Sequence, residues 1–370
     1  MKIAILINTS WNIYNFRKGL VVKLLADGHE VMAIAPKDDY AAKLEKLGCT
    51  FHHVSISPTG LNPVKDLRFY NQLKGILSKH RPDAMLTYTI KPNIYGTLAA
   101  RNYGIPVIAN VSGLGTVFLW KGLKRRLAAE LYGFALRRCQ WVFFQNAEDR
   151  LEFSDTVKLN MQKTGLVPGS GVDTTFFQPY DQPNNQVPQF LMVARLIIDK
   201  GVREFARAAE LINAHGHRAN FTLIGELDPS HSRSILPSEL ENWRSRRILN
   251  YLKPTEDIRD ILRACDVMVL PSYREGTPRT LLEGGAMAKP LIASDVPGCN
   301  NVVVHGENGF LCQVKDATDL AAKMEMMLAM TEGELQIMSK KSRDIIVEKF
   351  EENKVIQEYL AKIGALTDNS

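Results

Sequence analysis

Short runs of β-branched and other apolar residues alternate along the whole chain with longer segments whose apolar positions recur every three or four residues. This alternation is typical of βαβ units and predicts parallel sheets flanked by helices. The strands predicted in the first half are Lys2–Ile7, Glu30–Ala35, Thr50–Val54, Ala84–Tyr88, Val107–Val111, Trp141–Phe144 and, more weakly, Gly165–Val167. Those predicted in the second half are Phe190–Val193, Asn220–Ile224, Ile248–Leu252, Val267–Leu270, Leu291–Ser294 and Gly309–Val314.

The organisation predicted from this pattern is an α/β protein with two Rossmann-like parallel-sheet domains. A chain of 370 residues is too long for one ordinary core and suits two. Between residues 168 and 190 the composition changes to Pro, Gly, Gln and Asn, which is typical of a linker. We therefore predict a first domain over residues 1–178 and a second over residues 179–353.

Composition favours a cytoplasmic globular protein. The hydrophobic and charged contents, 45% and 23%, are those of soluble domains. No apolar run approaches the ~20 residues that span a bilayer, and the chain start predicts a strand instead of a signal peptide. The five cysteines are scattered without a Cys-x-x-Cys pair, which favours a reducing compartment and argues against a zinc site or a disulfide framework.

Charge is unevenly distributed along the chain. Residues 1–178 hold 23 basic and 13 acidic side chains, whereas the remainder holds 23 and 27. A basic half can meet nucleic acid, an anionic membrane or an anionic substrate, and nucleic acid is disfavoured because no binding motif accompanies the charge. Residues Lys121–Arg138 carry six basic side chains, with Leu123, Leu127, Leu131 and Phe134 at helical spacing. This helix either packs its apolar face on the sheet with a solvated basic face, or it attaches the protein peripherally to an anionic membrane.

The most informative stretch follows the predicted strand Val267–Leu270. A loop over Tyr273–Pro278 leads into a helix expected to begin at Thr280, at the carboxyl end of the strand, where α/β folds bind ligands. Unpaired amides at the helix start favour a phosphate. Glu275 and Glu283 are natural acceptors for hydroxyl groups. Phosphate donors beside hydroxyl acceptors predict a nucleotide-sugar pocket, with Glu283 on the ribose and Glu275 on the hexose.

This stretch resembles the donor-site signature of the retaining GT-B glycosyltransferases of family 4. A second match, Phe190–Gly201, places Arg195 and Lys200 where that family holds the donor diphosphate. The resemblance covers essentially the whole chain and is closest to bacterial enzymes that transfer N-acetylgalactosamine or a related sugar onto polyprenyl-diphosphate-linked glycans. It implies two domains facing a central cleft, the first binding the acceptor and the second the UDP-sugar, with residues 354–370 returning to the first domain.

For the second domain we predict a catalytic set and a donor-binding set. The catalytic residues are Glu275, Arg195 and Lys200, and the donor-binding residues are Glu283, Gly276, Thr277, Thr280, Tyr251 and Gly225. Tyr251 either presents backbone groups to the uracil or belongs to a plain core strand. No Asp-x-Asp run is present to hold a divalent metal, so two fixed cations and a helix start are expected to stabilise the leaving diphosphate without metal or cofactor.

For the first domain we predict an acceptor site. After the first strand comes Ser10-Trp11-Asn12 in place of the family's glycine pair, followed by Arg17, and we interpret this departure as a specialised acceptor loop. Because a Gly-x-Gly-x-x-Gly fingerprint is missing there, a dehydrogenase is disfavoured. Further candidates at predicted strand ends are Lys91, which is either a surface residue or a ligand of an acceptor diphosphate, and Gly113 and Gly115.

The sequence therefore predicts a metal-independent, retaining glycosyltransferase. It would move a hexosamine or hexose from a UDP-sugar to a polyprenyl-diphosphate-linked saccharide, in the assembly of O-antigen, capsule or a related glycan, at the inner face of the cell membrane. The alternatives are a UDP-sugar epimerase or phosphorylase on a similar frame, or a nucleotide-sugar-binding module without catalysis. A pyridoxal-dependent phosphorylase would need a cofactor lysine that nothing in the sequence indicates.

Overall fold

The structure, a computed structural model, describes residues 1–57, 62–113, 123–180, 185–229 and 231–367. The chain forms two compact units. Unit 1 comprises Met1–Ser170 together with the C-terminal segment from Glu352, and unit 2 comprises Gly171–Glu351. None of the helices described is long and apolar enough to cross a bilayer.

Unit 1 contains a parallel sheet whose strands lie in the order β3-β2-β1-β4-β5-β6-β7. The strands are β1 (Lys2–Leu6), β2 (Glu30–Ala35), β3 (Thr50–His53), β4 (Ala84–Tyr88), β5 (Val107–Val111), β6 (Trp141–Phe144) and β7 (Thr164–Leu166). Both faces of this sheet are buried: Ile3 and Ile5 belong to one hydrophobic core, and Ala4 and Leu6 to the other. This double burial is why the strands read as continuous apolar runs.

The helices of unit 1 cover these two faces. They are α1 (Ser10–Ala26), α2 (Ala41–Lys46), α3 (Pro63–His80), α4 (Thr97–Arg101), α5 (Leu123–Leu136), α6 (Ala147–Val157) and α13 (Glu352–Thr367), with a π-helix at Pro92–Gly96 and a 3₁₀ turn at Met161–Lys163. Helix α13 buries Val355, Ile356 and Tyr359 in the core of unit 1. The Tyr359 hydroxyl also accepts a hydrogen bond from Asn110 Nδ2 at 2.9 Å, which fixes this helix to the end of β5.

Unit 2 contains a parallel sheet in the order β10-β9-β8-β11-β12-β13. Its strands are β8 (Gln189–Val193), β9 (Asn220–Ile224), β10 (Asn250–Leu252), β11 (Val267–Leu270), β12 (Leu291–Ser294) and β13 (Gly309–Cys312). Its helices are α7 (Val202–Ala214), α8 (Pro237–Ser245), α9 (Arg259–Ala264), α10 (Arg279–Ala286), α11 (Ala317–Leu328) and α12 (Glu332–Phe350), with a 3₁₀ turn at Ile198–Lys200. One continuous hydrophobic core joins these elements.

The α/β class and the two parallel sheets are confirmed, and every predicted strand is present. The largest differences at strand ends are of two residues: β13 ends at Cys312 instead of Val314, and β10 begins at Asn250 instead of Ile248. The amides of Ile248 and Leu249 bond to the carbonyl of Trp243, at 2.9 and 3.5 Å, and so close the end of α8 instead of entering the sheet.

The two units divide at different positions from those predicted from composition. Unit 2 begins at Gly171, not at 179, and ends at Glu351, not at 353. Phe177 packs in the core of unit 2. The Arg343 guanidinium of α12 donates to the carbonyls of Thr174 and Phe177, each at 2.9 Å. Residues 171–177 of the predicted linker are therefore an integral part of unit 2.

Candidate functional site

The predicted donor residues gather at the carboxyl edge of the sheet in unit 2. Strands β9, β8 and β11 are neighbours there. Gly225 follows β9, the segment from Arg195 to Lys200 follows β8, and the loop carrying Glu275 follows β11. Parallel strands bring their carboxyl ends to one edge, which is why residues far apart in sequence meet.

Lys200 and Glu275 form an ion pair at this edge. Lys200 Nζ donates to Glu275 Oε1, and the two side chains are 21% and 12% exposed. The residue predicted to bind the diphosphate thus contacts the residue predicted to bind the sugar. A change in either residue would therefore alter the surroundings of the other.

The backbone fixes the two loops that carry this pair. The amide of Tyr273 donates to the carbonyl of Asp199 at 2.8 Å, which joins the β8 and β11 loops. The amide of Glu275 donates to the carbonyl of Pro297 at 3.3 Å. Gly298 has φ +86° and lies so close to this loop that a Cβ would be 2.3 Å from the carbonyl oxygen of Gly276. Only glycine fits at 298, so the loop of Glu275 and Gly276 is closely packed from behind.

Arg195 differs from Lys200 in its surroundings. Its side chain is exposed, and no carboxylate of the residues described here pairs with it. The carbonyl of Arg195 accepts from the amide of Ile197 at 2.8 Å, which turns the chain immediately after β8. Its guanidinium is therefore available to an anionic ligand.

Glu283 lies on α10, which begins at Arg279, one residue before the predicted start. Arg279 Nε donates to Glu283 Oε1 at 3.0 Å, and both side chains are 15% exposed. Burial raises the pKa of the Glu283 carboxyl above its usual value, and the Arg279 guanidinium offsets part of this rise. Thr280 lies in the first turn of α10, where the amides of Leu281 and Leu282 donate to the carbonyl of Pro278 at 3.1 and 3.3 Å. Thr277 lies in the loop just before this helix.

Gly225 and Tyr251 contact each other at the same edge. A Cβ on Gly225 would lie 1.8 Å from the carbonyl oxygen of Ala194, so the close approach of the β8 and β9 ends requires glycine. The Tyr251 hydroxyl donates to the carbonyl of Gly225 at 3.0 Å. The side chain of Tyr251 thus supports the Gly225 turn, and a contact of its backbone with a base stays a prediction.

The prediction that Ser10, Trp11 and Asn12 lie in a loop of unit 1 is wrong. Ser10, Trp11 and Asn12 form the first turn of α1, where Asn12 N bonds the capping hydroxyl of Thr9 at 3.1 Å. Asp38 accepts from the Ser10 hydroxyl and, at 3.0 Å, from the Trp11 amide. The Thr9 cap ends the loop earlier than the missing glycines suggested. Of these three residues, only Trp11 has a largely exposed side chain, at 42%.

The two predicted cations of unit 1 have different environments. Arg17 is buried, with its guanidinium carbon 4.4 Å from the centre of the Tyr88 ring. Lys91 Nζ pairs with Asp66 at 2.7 Å, in a contact where the side chains are 15% and 5% exposed. Gly113 has φ +113° after β5, and Gly115 lies outside the residues that the structure describes. Acceptor binding by these residues stays a prediction.

One of the two alternatives left open for α5 placed its apolar residues on the sheet, and the structure agrees with it only in part. The buried face consists of Ala128, Ala129, Tyr132, Ala135 and Leu136. Leu131 is partly buried against the core, but Leu127 and Phe134 are 61% and 42% exposed. The small alanine side chains allow α5 to lie close to the core of unit 1. Larger apolar residues and basic residues therefore share the outer face of this helix. The part of the segment before Leu123 lies outside the described residues, as do the side chains of residues 123–125.

Two features of the site were not identified from the sequence. Arg233 pairs with Asp199, the residue before Lys200. The Tyr273 hydroxyl donates to Glu204 Oε1 at 2.7 Å. The sequence offered two signals, because Asp199 adjoins a predicted site residue and Tyr273 opens the predicted donor loop. Each partner lies tens of residues away, and neither pairing follows from spacing.

Comparison with known proteins identifies the family. A profile described as glycosyl transferases group 1 matches residues 174–345, and a glycosyl transferase 4-like domain matches residues 16–164. The chain belongs to the group 1 glycosyltransferases. It is an enzyme of this class, and the resemblance of the two loops of unit 2 to glycosyltransferases is confirmed.

Two curated relatives of this glycosyltransferase carry specific names. The N,N'-diacetylbacillosaminyl-diphospho-undecaprenol alpha-1,3-N-acetylgalactosaminyltransferase of Campylobacter jejuni is 29% identical, covering 97% of each chain. A UDP-Gal:alpha-D-GlcNAc-diphosphoundecaprenol alpha-1,3-galactosyltransferase of Escherichia coli is 28% identical, covering 78% of this chain and 76% of its own.

Solved structures confirm the GT-B fold. A sucrose-phosphate synthase of Thermosynechococcus elongatus superposes with a TM-score of 0.83 at 20% identity, covering 100% of both chains. Anabaena HepE, solved in complex with UDP-glucose, gives a TM-score of 0.82 at 15% identity, covering 99% of this chain and 100% of its own. At such identities, the similarity establishes the fold alone.

Proposed function

We propose that this glycosyltransferase moves a sugar from a UDP-sugar to a polyprenyl-diphosphate-linked saccharide with retention of anomeric configuration. The observation that carries the proposal is the charged constellation at the carboxyl edge of unit 2. It comprises the Lys200–Glu275 pair, the exposed Arg195, which pairs with no carboxylate among the described residues, and Glu283 on α10. Cations for a diphosphate lie there beside carboxylates for sugar hydroxyls.

The proposed chemistry requires the negative charge that develops on the departing diphosphate to be stabilised. Arg195 would bind the diphosphate directly, and Lys200 would turn from Glu275 towards it when the donor enters. Glu275 would then accept hydroxyl groups of the sugar, while Glu283 would hold the ribose. Once the donor is bound and both cations contact its diphosphate, they stabilise the charge of the transition state without further reorganisation. In this proposal the leaving phosphate accepts the proton of the attacking hydroxyl on the same face.

The donor and acceptor classes rest on the relatives. Both named enzymes carry sugars to diphospho-undecaprenol substrates, and one name specifies UDP-galactose. The relative that matches nearly the whole chain is an N-acetylgalactosaminyltransferase. We therefore propose UDP-N-acetylgalactosamine or a close hexosamine or hexose donor, a role in the assembly of a surface polysaccharide or glycan, and no requirement for a metal ion.

A lipid-linked acceptor requires the enzyme to work at a membrane surface, and α5 of unit 1 provides a suitable face. Leu127 and Phe134 project outward beside exposed Arg126 and Arg137. Each cation near an anionic membrane contributes ~1 kcal/mol, and a buried leucine side chain contributes about 1.5–3 kcal/mol. We propose peripheral attachment through this face on the cytoplasmic side of the membrane.

Release of UDP tests this function. Purified protein is incubated with a panel of UDP-sugars, with and without a polyprenyl-diphosphate-linked saccharide. Lys200→Ala, expected to be about 100-fold slower, serves as the control. UDP release that depends on the lipid acceptor supports the proposal. Conversion of the UDP-sugar to an epimer would instead indicate the epimerase alternative. UDP-sugar binding without turnover on any acceptor would indicate a binding module.

A further inference from the structure

Arg233, in the segment between β9 and α8, contacts the residue next to Lys200. Its Nε donates to Asp199 Oδ2 and its Nη2 to Asp199 Oδ1, each at 2.5 Å. The side chains of Arg233 and Asp199 are 42% and 21% exposed. A bidentate pair between a guanidinium and a carboxylate fixes orientation as well as distance. Asp199 is therefore held in one geometry, and Lys200 follows it directly in the chain.

The backbone around Arg233 strengthens this connection. The amide of Ile198 donates to the carbonyl of Arg233 at 2.9 Å, and the amide of Ile235 donates to the carbonyl of Leu196 at 3.0 Å. Ile197 and Ser234 form an antiparallel bridge between these hydrogen bonds. The segment around Arg233 thus lies along the segment that leads from β8 to Lys200.

Asp199 also connects this segment to the other half of the donor site. Its carbonyl accepts from the Tyr273 amide at 2.8 Å, in the loop that carries Glu275. The Asp199 side chain binds Arg233 while its main chain binds Tyr273. A displacement of Asp199 would shift Lys200 relative to Glu275, because both contacts would change together.

We propose that Arg233 is a positioning residue for the transfer reaction. It acts through Asp199 to hold Lys200 at the place where the leaving diphosphate is stabilised. This inference rests on the proposed function, because it assigns the diphosphate to Lys200. In this proposal, the segment around Arg233 influences the rate of transfer because it positions Lys200.

The chain contains a matched control for Arg233. Arg203 on α7 forms a second bidentate pair, with Glu239 on α8, at 2.7 and 3.0 Å. The exposed fractions of this pair, 44% and 26%, are close to those of Arg233 and Asp199. The Arg203–Glu239 pair differs from the Arg233–Asp199 pair in that neither of its residues forms a hydrogen bond with Asp199. Arg233→Ala should lower kcat by about 10-fold to 100-fold, the scale for a small misplacement of a reacting group, whereas Arg203→Ala should leave kcat near wild type.

Two further measurements separate positioning from general destabilisation. In a Lys200→Ala background, Arg233→Ala should have no further effect on kcat, because the residue that it positions is gone. Arg233→Lys, which retains the charge and loses the bidentate geometry, should fall between wild type and Arg233→Ala. Additive losses of kcat in the double variant would overturn the proposal, since Arg233 would then act independently of Lys200.

Amide hydrogen exchange of the ligand-free protein keeps this test separate from the proposed function. Arg233→Ala should speed exchange at residues 197–201 and at Tyr273, and Arg203→Ala should not. Unchanged exchange, or faster exchange with wild-type kcat, would overturn the positioning role. If the wild type transfers no sugar at all, the proposed function fails, and the diphosphate role of Lys200 on which this inference rests fails with it. Amide hydrogen exchange would then show only whether Arg233 fixes residues 197–201.

Discussion

Replacing Lys200 by alanine should damage both activity and stability. The change removes the cation that, in the proposed function, contacts the leaving diphosphate once the donor is bound. Loss of one such preorganised donor costs about 10²-fold in kcat, which corresponds to roughly 2.7 kcal/mol of transition-state stabilisation. The KM for the UDP-sugar should change less, because the charge is greatest in the transition state.

The loss of stability follows from the partner of Lys200. Glu275 is only 12% exposed, and Lys200→Ala would leave its carboxylate largely buried without its cation. An unsatisfied group of this kind costs about 1–3 kcal/mol of folding free energy. Adding Glu275→Gln to Lys200→Ala removes the orphaned charge. The double variant should therefore recover most of the lost stability while remaining inactive.

Arg195→Ala is the matched control for this experiment. Arg195 is a cation at the end of the same strand, but it is exposed and has no carboxylate partner within the described part of the chain. Its replacement should lower kcat by a similar ~10²-fold. The free energy of unfolding should change by no more than about 0.5 kcal/mol, as at other exposed positions. We therefore expect Arg195→Ala to lower activity alone, and Lys200→Ala to lower both activity and stability.

The two effects are measured by UDP release and by urea unfolding. Fluorescence follows unfolding, and Trp243 is the tryptophan of unit 2. Near-wild-type turnover in Lys200→Ala or Arg195→Ala would refute the assignment of the diphosphate to that residue. Full inactivity of Lys200→Ala with unchanged unfolding would refute the stabilising contribution of the ion pair.

Three other predictions follow from the same structure. Glu283→Gln should mainly raise the KM for the UDP-sugar. Because burial raises the pKa of Glu283, the wild-type KM should rise on acidification at a pH above ~4.3, the pKa of an ordinary glutamate. A KM that is equally pH-dependent in the variant would contradict this. Activity should survive EDTA, and its abolition with recovery in Mn²⁺ would refute stabilisation by cations alone. Leu127→Asp should weaken binding to anionic vesicles, whereas Leu151→Asp, at an equally exposed leucine of the same unit (61% for both), should not; equal binding of all three proteins would place any attachment elsewhere.

The sequence predicts the sheets well because their strands are buried on both faces. Runs such as Ala84–Tyr88 and Val267–Leu270 are apolar at every position or nearly so, and their bounds agree with the structure. Where the hydrogen bonds that end a helix compete, the pattern fails. Ile248 and Leu249 look like the start of a strand, but their amides complete the end of α8.

The sequence predicts which residues of the candidate site follow the ends of strands. It does not predict which side chains pair with each other there. The gathering of Arg195, Lys200 and Glu275 follows from parallel strands ending at one edge. The contact of Lys200 with Glu275, and that of Arg233 with Asp199, depend on loop paths that no local pattern encodes. The outward orientation of Leu127 likewise depends on the alanines that pack beneath α5.

Mass spectrometry of the lipid acceptor tests the central claim most directly. A polyprenyl-diphosphate-linked saccharide is incubated with the UDP-sugar that gives the highest release of UDP, using wild type and Lys200→Ala. We predict that wild type adds one hexosamine or hexose to the lipid-linked saccharide, in an amount equal to the UDP released, and that the variant adds about 100-fold less per unit time. Release of UDP by the wild type without any gain in mass of the lipid acceptor would contradict the account.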